Sequence, residues 1–451
     1  MDTVKLKDII ASLGFETSSD AMVNYISTDS RDITDKTIFI AIKGERVDGH
    51  SYIEDAFKRG AVAVIAEHSV EYKNENIFVC ENSVKAMQQM AKWYKSQYSF
   101  KTVAITGSVG KTTTKDMISA VLQRKFRVGK TEGNHNNEIG TANTLFSFNG
   151  ATEVAVVEMG MCGFGEIAEL AEIAVPDIGV LTNIGVCHLE FLKTRENILK
   201  AKMELADSLR DGSPLFLCGD NDLLRNVSYP RLNVIKYGVE NKDCDIVGSI
   251  IEEHKGGFTL EIRYKDNIET VTIPSNGLHI AQNALAAYGV GITLGMTSKD
   301  AAEALSNYTP SGMRQKTVLV NGITVVEDCY NASPDSIKAA MRTLKTYPCE
   351  GKKYAVLSDM LELGSFEKAG HTECGIAAAE SADEVLLYGN NAHYYKDGAG
   401  DKAIIFDEKL EIADYLVKRL KSGDMVWFKA SRGMRLEEVI EKLYKKLKNQ
   451  E

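Results

Sequence analysis

One segment near residue 110 constrains the fold of this chain more than any other. The segment TGSVGKTTT at 106–114 follows an apolar run at 103–105 and precedes a helical pattern that begins near Lys111. Its two glycines, Gly107 and Gly110, allow the backbone to curl so that successive N–H groups converge on one point. The partial positive charge of a helix N-terminus adds to the attraction at that point. The segment therefore predicts a strand, a phosphate-binding loop and a helix in a parallel βαβ arrangement.

The spacing within this segment predicts what the loop binds. It is the short G-x-x-G-K-T form, because the first glycine of the longer G-x-x-x-x-G-K-[ST] form would fall at Ile105. In such loops the lysine, here Lys111, reaches the β- and γ-phosphates, and the next hydroxyl, here Thr112, ligates Mg²⁺. The alternative is a strand–helix turn with an incidental lysine, which the flanking strand and helix disfavour. We therefore expect a nucleoside triphosphate site.

Short β-branched runs alternate with helical patterns along almost the whole chain. That alternation predicts an α/β fold with largely parallel sheets, and 451 residues suffice for two to four domains. We predict three domains, at 1–100, 101–311 and 312–451, with the phosphate loop in the central one. An alternating pattern around 245–273 predicts an antiparallel edge to the central sheet. The third domain has a Rossmann-like βαβ pattern without a phosphate loop of its own.

Composition and charge exclude several classes of protein. The chain has 63 acidic and 53 basic side chains, a formal net charge of −10, which disfavours binding to nucleic acid. Its 44% hydrophobic residues exclude intrinsic disorder. No stretch reaches the roughly 18–20 apolar residues of a membrane helix, and the N-terminus lacks the pattern of a signal peptide. The eight cysteines are scattered without a C-x-x-C pair, so we expect a cytoplasmic protein that does not insert into membranes.

Three further side chains are placed where they can serve a phosphate site. Glu158 ends the apolar run 153–158, His188 follows the next predicted strand, and Lys202 flanks the apolar stripe of a predicted helix at 195–210. Each has a plainer interpretation: a solvated carboxylate, a structural histidine and a lysine that extends to water. The functional alternatives are magnesium contacts for Glu158 and His188. For Lys202 the alternative is a desolvated amine that reacts with CO₂ to give a carbamate.

Taken together, these segments resemble the Mur ligase family of ATP-dependent amide-forming enzymes over essentially the whole chain. The family order is an N-terminal UDP-binding domain, a central ATPase domain and a C-terminal Rossmann-like domain, which agrees with the three predicted domains. The resemblance implies ATP and Mg²⁺ as cofactors. It is closest to the branch that joins D-alanyl-D-alanine to UDP-N-acetylmuramoyl-tripeptide through an acyl phosphate in peptidoglycan precursor synthesis. The third domain would bind the incoming dipeptide, and we expect the chain to act as a monomer.

The resemblance also implies roles for individual residues. The ATP-binding residues implied by the motifs GSVGKTT, HIAQN, SGMR and DCYNASP are Gly107, Ser108, Val109, Gly110, Lys111, Thr112, Thr113, Asn283, Arg314, Asp328 and Asn331. The implied catalytic residues are Lys111, Glu158, His188 and Lys202, and the implied metal ligands are Thr112, Glu158, His188 and Lys202 as a carbamate. The residues implied for the UDP-substrate, from STDSR, IKGERVDGH and GNHNNEIG, are Ser30, Arg31, Lys43, Asp48, Gly49, His50 and Asn137.

Four positions depart from the usual family pattern: Ala142, Ile280, Ser358 and Ala430. They leave acceptor selectivity open, and the sequence also leaves open whether lysine or diaminopimelate is the third residue of the tripeptide. One alternative is a related ligase with another acceptor, such as a folylpolyglutamate-type enzyme. Another is a non-catalytic nucleotide-binding paralogue, which the intact set of site residues disfavours. A motor or GTPase would need base-reading or arginine-finger features that the sequence lacks.

Overall fold

The computed structural model describes residues 1–44, 47–310 and 312–448 and has three α/β domains in succession along the chain. They are built on a four-stranded, a nine-stranded and a six-stranded sheet, with a separate two-stranded ribbon near the N-terminus. The predicted α/β class with mainly parallel sheets is confirmed. The boundaries near 100 and 312 stay predictions, and Ser311, at the second of them, lies outside the described residues. No helix in the described ranges is long and apolar enough to cross a membrane.

The first domain carries a parallel sheet in the strand order β3-β4-β5-β6. Its elements are β1 (Val4–Lys5), α1 (Leu6–Ala11), β2 (Met22–Val23), β3 (Tyr25–Ser27), β4 (Thr37–Ile40), α2 (Ile53–Lys58), β5 (Ala61–Ala66), β6 (Ile77–Val79) and α3 (Ser83–Ser96). Because β3, β4 and β5 are parallel, the loops that follow them meet at one edge of the sheet. That edge carries the first-domain residues predicted to bind a UDP group.

The central domain places the phosphate loop in the middle of the large sheet. Its elements are β7 (Lys101–Thr106), α4 (Lys111–Leu122), β8 (Val128–Lys130), α5 (Glu138–Phe146), β9 (Val154–Glu158), α6 (Glu166–Ala174), β10 (Ile178–Leu181), α7 (Leu189–Leu192), α8 (Arg195–Asp207), β11 (Pro214–Cys218), β12 (Asn233–Gly238), β13 (Ile246–His254), β14 (Gly257–Tyr264), β15 (Asn267–Ile273), α9 (Leu278–Thr293) and α10 (Ser298–Leu305). The strand order is β15-β14-β13-β12-β11-β10-β7-β9-β8. Strands β13 to β15 are antiparallel, so the predicted antiparallel edge is confirmed.

The central strand β7 explains why several predicted residues converge. Its residues Val103, Ala104 and Ile105 are fully buried, as expected for a parallel strand covered by helices on both faces. It pairs in parallel with β9 on one side and β10 on the other. The register places Ile105 opposite Glu158, so the ends of all three strands lie at the same edge. The phosphate loop, Glu158 and the segment after β10 therefore meet there.

The third domain has a sheet in the order β16-β17-β21-β18-β19-β20, parallel except for the edge strand β16. Its elements are β16 (Lys316–Val320), β17 (Ile323–Asp328), α11 (Pro334–Thr346), β18 (Lys353–Ser358), α12 (Glu367–Ala379), β19 (Glu384–Tyr388), α13 (Ala392–Ala399), β20 (Ala403–Ile405), α14 (Glu411–Val417), β21 (Met425–Lys429) and α15 (Glu437–Lys448).

The hydrophobic cores show which domains are joined firmly. One core runs without interruption from Leu6 to Tyr308, through both the first and the central domain. Helix α3 adds polar contacts to the central domain, among them Gln88 to Glu169 at 2.7 Å. The third domain instead has two cores of its own, on the two faces of its sheet. We therefore expect the third domain to move as a body relative to the other two.

The four positions that depart from the family pattern all lie in packed surroundings. Ala142, Ile280, Ser358 and Ala430 are buried. The hydroxyl of Ser358 donates to the carbonyl of Tyr388 at 2.6 Å, so its polar group is satisfied. These positions act on packing within the domains rather than on an exposed surface.

Candidate functional site

The phosphate loop has a backbone shape that requires its glycines. Gly107 has φ of 153° and Gly110 has φ of 85°, both in the region that disfavours residues with a side chain. A Cβ atom on Gly107 would lie 1.9 Å from Oγ1 of Thr182. Gly110 is the N-cap residue of helix α4, and a Cβ atom on it would lie 3.1 Å from Oδ1 of Asn283. The loop can adopt this shape only because both positions lack a side chain.

A second loop, residues 182–188 after β10, holds the phosphate loop in place, and we call it the β10 loop. Oδ1 of Asn183 accepts the N–H of Val109 at 2.8 Å, and its carbonyl accepts the N–H of Ser108 at 3.0 Å. The Thr182 hydroxyl donates to the carbonyl of Val109 at 2.6 Å. In return, Oγ of Ser108 accepts the N–H of Gly185 at 2.9 Å. The two loops therefore form one hydrogen-bonded body.

The first residues of α4 bring the predicted catalytic groups together. Nζ of Lys111 donates to the carbonyl of Gly107 at 2.8 Å, so it lies over its own loop. The Thr112 hydroxyl donates to Oε2 of Glu158 at 2.8 Å. The other oxygen of Glu158 accepts from Nδ2 of Asn136 at 2.9 Å. Glu158 is 1% exposed, so it is not the solvated strand-end carboxylate that the sequence left as an alternative.

A buried lysine that the sequence analysis did not single out lies beside Glu158. Nζ of Lys115 is 3.9 Å from Oε2 of Glu158 and donates to the carbonyl of Thr131 at 2.7 Å. The Thr131 hydroxyl in turn accepts the N–H of Glu158 at 3.0 Å. A charged carboxylate in the interior requires a nearby cation and hydrogen-bond donors. The signal in the sequence is the i,i+4 spacing of Lys115 from Lys111, which places both on one side of α4.

The motif GNHNNEIG contributes to this carboxylate a residue that the sequence analysis did not single out, Asn136. Asn137 caps helix α5, because its Oδ1 accepts the N–H of Gly140 at 2.9 Å. Its neighbour Asn136 makes the contact with Glu158. The role of Asn137 toward a UDP-linked substrate stays a prediction, and Asn136 is added to the candidate site.

Lys202 on helix α8 is fully buried, so the interpretation as a lysine that extends to water is wrong. Within the described residues, no group hydrogen-bonds its Nζ. Burial, and then the positive charge of Lys111, lower the pKa of Lys202 from 10.5 to about 7. A large fraction of this side chain is therefore a neutral amine at neutral pH. That form is nucleophilic, and the ammonium form is not.

His188 lies in the same electrostatic environment. Burial, followed by the charges of Lys202 and Lys111, lowers the pKa of His188 to about 4. Its Nδ1 is 3.2 Å from Oε2 of Glu362, but without hydrogen-bond geometry. A carboxylate at this distance favours the protonated ring, and burial outweighs it. The imidazole is therefore neutral at pH 7 and keeps a lone pair for a metal or a proton.

The donor set at this edge fits a magnesium ion. Mg²⁺ prefers hard oxygen ligands, and the Thr112 hydroxyl and the Glu158 carboxylate supply them within 2.8 Å of each other. Nζ of Lys202 is a buried polar atom that lacks a partner in the described chain. A carbamate on that nitrogen would replace a positive amine by a carboxylate-like group, which is the ligand type that Mg²⁺ selects.

Two predicted nucleotide contacts, Asn283 and Arg314, lie in different surroundings. Asn283 on α9 is buried beside Gly110, and its Nδ2 has no partner among the described residues. Arg314 precedes β16 and stacks its guanidinium 3.9 Å from the ring centre of Tyr330. Just before this segment, burial raises the pKa of Tyr308, and Thr113 at the start of α4 opposes that rise.

The third-domain residues Asp328 and Asn331 are held by one lysine. Nζ of Lys429 donates to Oδ2 of Asp328 at 2.9 Å and to the carbonyl of Asn331 at 3.1 Å. Burial raises the pKa of Asp328, and Lys429 opposes that rise. Lys429 is a further residue that the sequence analysis did not single out. Its position on β21, beside β17, could not be read from spacing along the chain.

The predicted UDP-binding residues of the first domain lie in loops at the edge of the first sheet, whereas Asn137 lies in the central domain. Oδ1 of Asp48 accepts the backbone N–H of His50 at 3.0 Å and lies 2.7 Å from its Nδ1. Nε2 of His50 accepts the N–H of Glu67 at 2.9 Å, so Nδ1 carries the proton. These contacts to His50 lower the pKa of Asp48. Gly49 begins the short helical turn Gly49–Tyr52, and Lys43 pairs with Asp48 through a backbone bridge.

Ser30 and Arg31 lie on a separate turn after β3. The guanidinium of Arg31 is exposed and binds both oxygens of Asp29, which lowers the pKa of Asp29 to about 2. Ser30 is half-buried in the same turn, Ser30–Asp32. Within the described ranges, no hydrogen bond or ion pair joins these first-domain residues to the phosphate loop. The structure thus presents two clusters, one on the first domain and one on the central sheet.

Comparisons with known proteins agree with this arrangement. Three family descriptions match in order: "Mur ligase family, catalytic domain" at 22–96, "Mur ligase middle domain" at 105–291 and "Mur ligase, glutamate ligase domain" at 313–432. The chain is 38% identical to the UDP-N-acetylmuramoyl-tripeptide–D-alanyl-D-alanine ligase of Bacillus subtilis, covering 94% of this chain and 93% of the relative. It is 32% identical to the ligase of the same name from Synechocystis, covering 94% and 93%.

Solved structures give the same result. The MurF ligase of Thermotoga maritima in complex with ADP superposes with a TM-score of 0.89 at 33% identity, covering 95% of this chain and 99% of that chain. A MurF structure from Acinetobacter baumannii superposes with a TM-score of 0.92 and 99% coverage of both chains. At 24% identity, that second match speaks for the fold alone.

Proposed function

This chain belongs to the Mur ligase family, and from that premise we propose that it joins D-alanyl-D-alanine to UDP-N-acetylmuramoyl-tripeptide with hydrolysis of ATP to ADP and phosphate. Its relatives of that name match over nearly the full length of the chain. The observation that carries the proposal is the arrangement at the end of β7. There a phosphate loop meets a buried carboxylate bound to Thr112, and Lys111 of that loop lowers the pKa of Lys202, a buried lysine whose Nζ has no partner among the described residues.

The phosphate loop would hold ATP. Its converging N–H groups and the N-terminus of α4 attract the phosphates. Nζ of Lys111 lies 2.8 Å from the carbonyl of Gly107, at the mouth of the loop, and an incoming triphosphate would compete for it. Asn283 lies beside Gly110, and its Nδ2 has no partner among the residues that the structure describes, so it is placed to meet the rest of the nucleotide. Arg314 would meet the nucleotide from the third domain.

The chemistry has two steps, because a carboxylate and an amine do not condense in water without activation. The tripeptide carboxylate first attacks the γ-phosphorus of ATP, which forms an acyl phosphate and releases ADP. The amine of D-alanyl-D-alanine then attacks the acyl carbon, loses a proton, and the tetrahedral adduct expels phosphate. Lys111 would stabilise the negative charge that develops on the transferred group. Burial of the site excludes the water that would hydrolyse the acyl phosphate.

Thr112 and Glu158 would hold one Mg²⁺ ion, and His188 with a carbamate on Lys202 would hold a second. The ions would neutralise phosphate charge and bring the anionic carboxylate and triphosphate together. Lys202 forms a carbamate when its neutral amine attacks CO₂ and releases one proton. Its lowered pKa supports that step, since about half of the side chain is neutral near pH 7.

The remaining assignments follow from the same proposal. Ser30, Arg31, Lys43 and the Asp48–His50 turn would bind the UDP group, and Asn137 would line the path to the central site. We propose domains at 1–100, 101–311 and 312–451, with the third binding the dipeptide and closing over ATP through Asp328 and Asn331. We propose that the chain acts as a monomer. The eight cysteines are free, in keeping with a cytoplasmic, reducing compartment.

The test is phosphate release from the purified protein with ATP, Mg²⁺ and UDP-N-acetylmuramoyl-tripeptide, with and without D-alanyl-D-alanine. The tripeptide is supplied in its lysine and diaminopimelate forms, and L-alanyl-L-alanine serves as the control acceptor. We expect phosphate release that depends on the D,D-dipeptide and a product heavier by one dipeptide minus water. Phosphate release without dipeptide dependence would assign another acceptor, and no turnover of either tripeptide would reject the ligase.

A further inference from the structure

The β10 loop contacts two domains at once. On one side it holds the phosphate loop through Asn183 and Ser108, as described above. On the other side the N–H of Val186 donates to Oδ2 of Asp335 at 3.0 Å, and Asp335 belongs to the third domain. Beside it, burial raises the pKa of the Cys187 thiol, and Ser333 of the third domain opposes that rise. The β10 loop thus connects the nucleotide site to the third domain.

The backbone of this loop is held at successive residues, so it moves as a body. The carbonyl of Ile184 accepts from Arg195 at 2.8 Å and from Nδ2 of Asn221 at 3.0 Å. The next two N–H groups, of Gly185 and Val186, are bound by Ser108 and Asp335. A displacement at Val186 is therefore transmitted to Ser108 in the phosphate loop, with little slack in between.

The Asp335 carboxylate is itself placed firmly. Helix α11 begins at Pro334, and a capping box between Ser333 and Ser336 fixes its start. Asp335 lies in the first turn, where a negative side chain is favoured by the helix dipole. The approach to the β10 loop is also unusually close, since a Cβ atom on Gly185 would lie 2.0 Å from Oδ2 of Asp335.

We propose that Asp335 is a positioning residue for phosphoryl transfer: by accepting the Val186 N–H it fixes the β10 loop, and with it the phosphate loop, when the third domain is docked. The proposal rests on the function proposed above and adds to it a physical link between domain docking and the geometry of the nucleotide site. Docking without this contact would leave the β10 loop without its hydrogen bond to helix α11.

The kinetic test uses both sides of the contact. Asp335→Ala removes the acceptor, and we expect kcat to fall about 10- to 100-fold, the range for a hydrogen bond to a charged group. The KM for ATP should change less, because the phosphate loop itself remains. Asp335→Asn keeps an acceptor oxygen and should lose less than about tenfold. Lys338→Ala on the same helix breaks an ion pair with Glu373 inside the third domain and serves as the matched control, with kcat unchanged.

Gly185→Ala, alone and combined with Asp335→Ala, tests whether the contact between Gly185 and Asp335 controls kcat. In the otherwise wild-type protein its methyl group collides with Oδ2 of Asp335, so kcat should fall about as far as in Asp335→Ala. In the Asp335→Ala background the nearest remaining neighbour is Cβ of Ser108 at 3.4 Å, an ordinary contact. We therefore expect the double variant to match Asp335→Ala alone. Additive losses from the two substitutions would overturn the proposal.

A direct measurement needs no ligase activity. Hydrogen exchange at the Val186 amide, with a non-hydrolysable ATP analogue and Mg²⁺, should be slow in the wild type and in Lys338→Ala and at least tenfold faster in Asp335→Ala. The amides of α11 should keep their protection, since the capping box does not use Asp335. Unchanged exchange at Val186 would reject the link even in a fully active ligase. Absent ligase activity with the expected exchange pattern would reject only the proposed function.

Discussion

Replacing Lys202 by methionine should stabilise the fold and abolish ligation. The pKa of Lys202 falls from 10.5 to about 7 on folding, mainly because its amine is buried. At about 1.4 kcal/mol for each pKa unit, that fall corresponds to a cost of about 5 kcal/mol at neutral pH. Methionine fills a similar volume without a charge and avoids this cost. We take about 5 kcal/mol as the upper limit of the stabilisation.

The pH dependence of the stability difference between Lys202→Met and the wild type follows from whether the folded or the unfolded wild type binds more protons. Between about pH 7 and pH 10.5 the unfolded lysine remains protonated, while the folded one has lost its proton. The free energy of unfolding of the wild type therefore rises with pH across this window, relative to Lys202→Met. The advantage of the methionine variant should be largest at pH 7 and below and should shrink steadily toward pH 10.

The assay is urea denaturation of both proteins at pH 7 and pH 9, in CO₂-free buffer and in bicarbonate. Lys200→Met, on the exposed side of the same helix, is the matched control and should change stability by less than about 0.5 kcal/mol. Carbamate formation removes the buried positive charge, so bicarbonate should stabilise the wild type and leave Lys202→Met unchanged. A methionine variant that is less stable than the wild type at pH 7, by an amount independent of pH, would refute this reasoning.

Three further substitutions test the phosphate loop and its support. Lys111→Ala should lower kcat at least 100-fold with no change in urea midpoint, measured by phosphate release; near-normal turnover would mean that the loop does not bind the γ-phosphate. Gly107→Ala should abolish binding of a fluorescent ATP analogue, because its methyl group would lie 1.9 Å from Oγ1 of Thr182, and wild-type affinity would contradict the loop geometry. Lys115→Met should destabilise the protein by about 3–5 kcal/mol in urea denaturation, since it leaves the Glu158 charge buried, and adding Glu158→Gln should recover most of the loss.

The family and the fold class were predictable from the sequence, because both depend on local patterns. The segment at 106–114 contains its strand, its glycines and its lysine within nine residues, and each shapes the backbone of its immediate neighbours. The antiparallel edge predicted from the alternation at 245–273 is likewise confirmed by strands β13 to β15. Relatives that share this family's name match the full length of the chain, which confirms the resemblance.

Contacts between segments distant in the chain were beyond such patterns. Asn183 supports Val109 from 74 residues away, and Lys429 reaches Asp328 across 101 residues. Each contact depends on which strands are neighbours in a sheet, and the order β10-β7-β9 is not encoded in the spacing of the residues. The polar pair directly after the apolar strand β10 was the available signal for Asn183. Finding that Asn136 binds Glu158 required the folded geometry, which a motif alone does not provide.

Three lysines of the central domain, Lys111, Lys115 and Lys202, show how the surroundings give one residue type three different tasks. Lys115 is buried but paired, with a carbonyl at 2.7 Å and a carboxylate at 3.9 Å, so its charge can remain and balance Glu158. Lys111 lies on the loop carbonyl of Gly107, a contact that a triphosphate can displace. Lys202 is buried, its Nζ has no hydrogen-bond partner in the described part of the chain, and Lys111 lowers its pKa further. The positive charge of Lys111 thus serves twice, since it attracts phosphate and also keeps Lys202 in the neutral form that can react with CO₂.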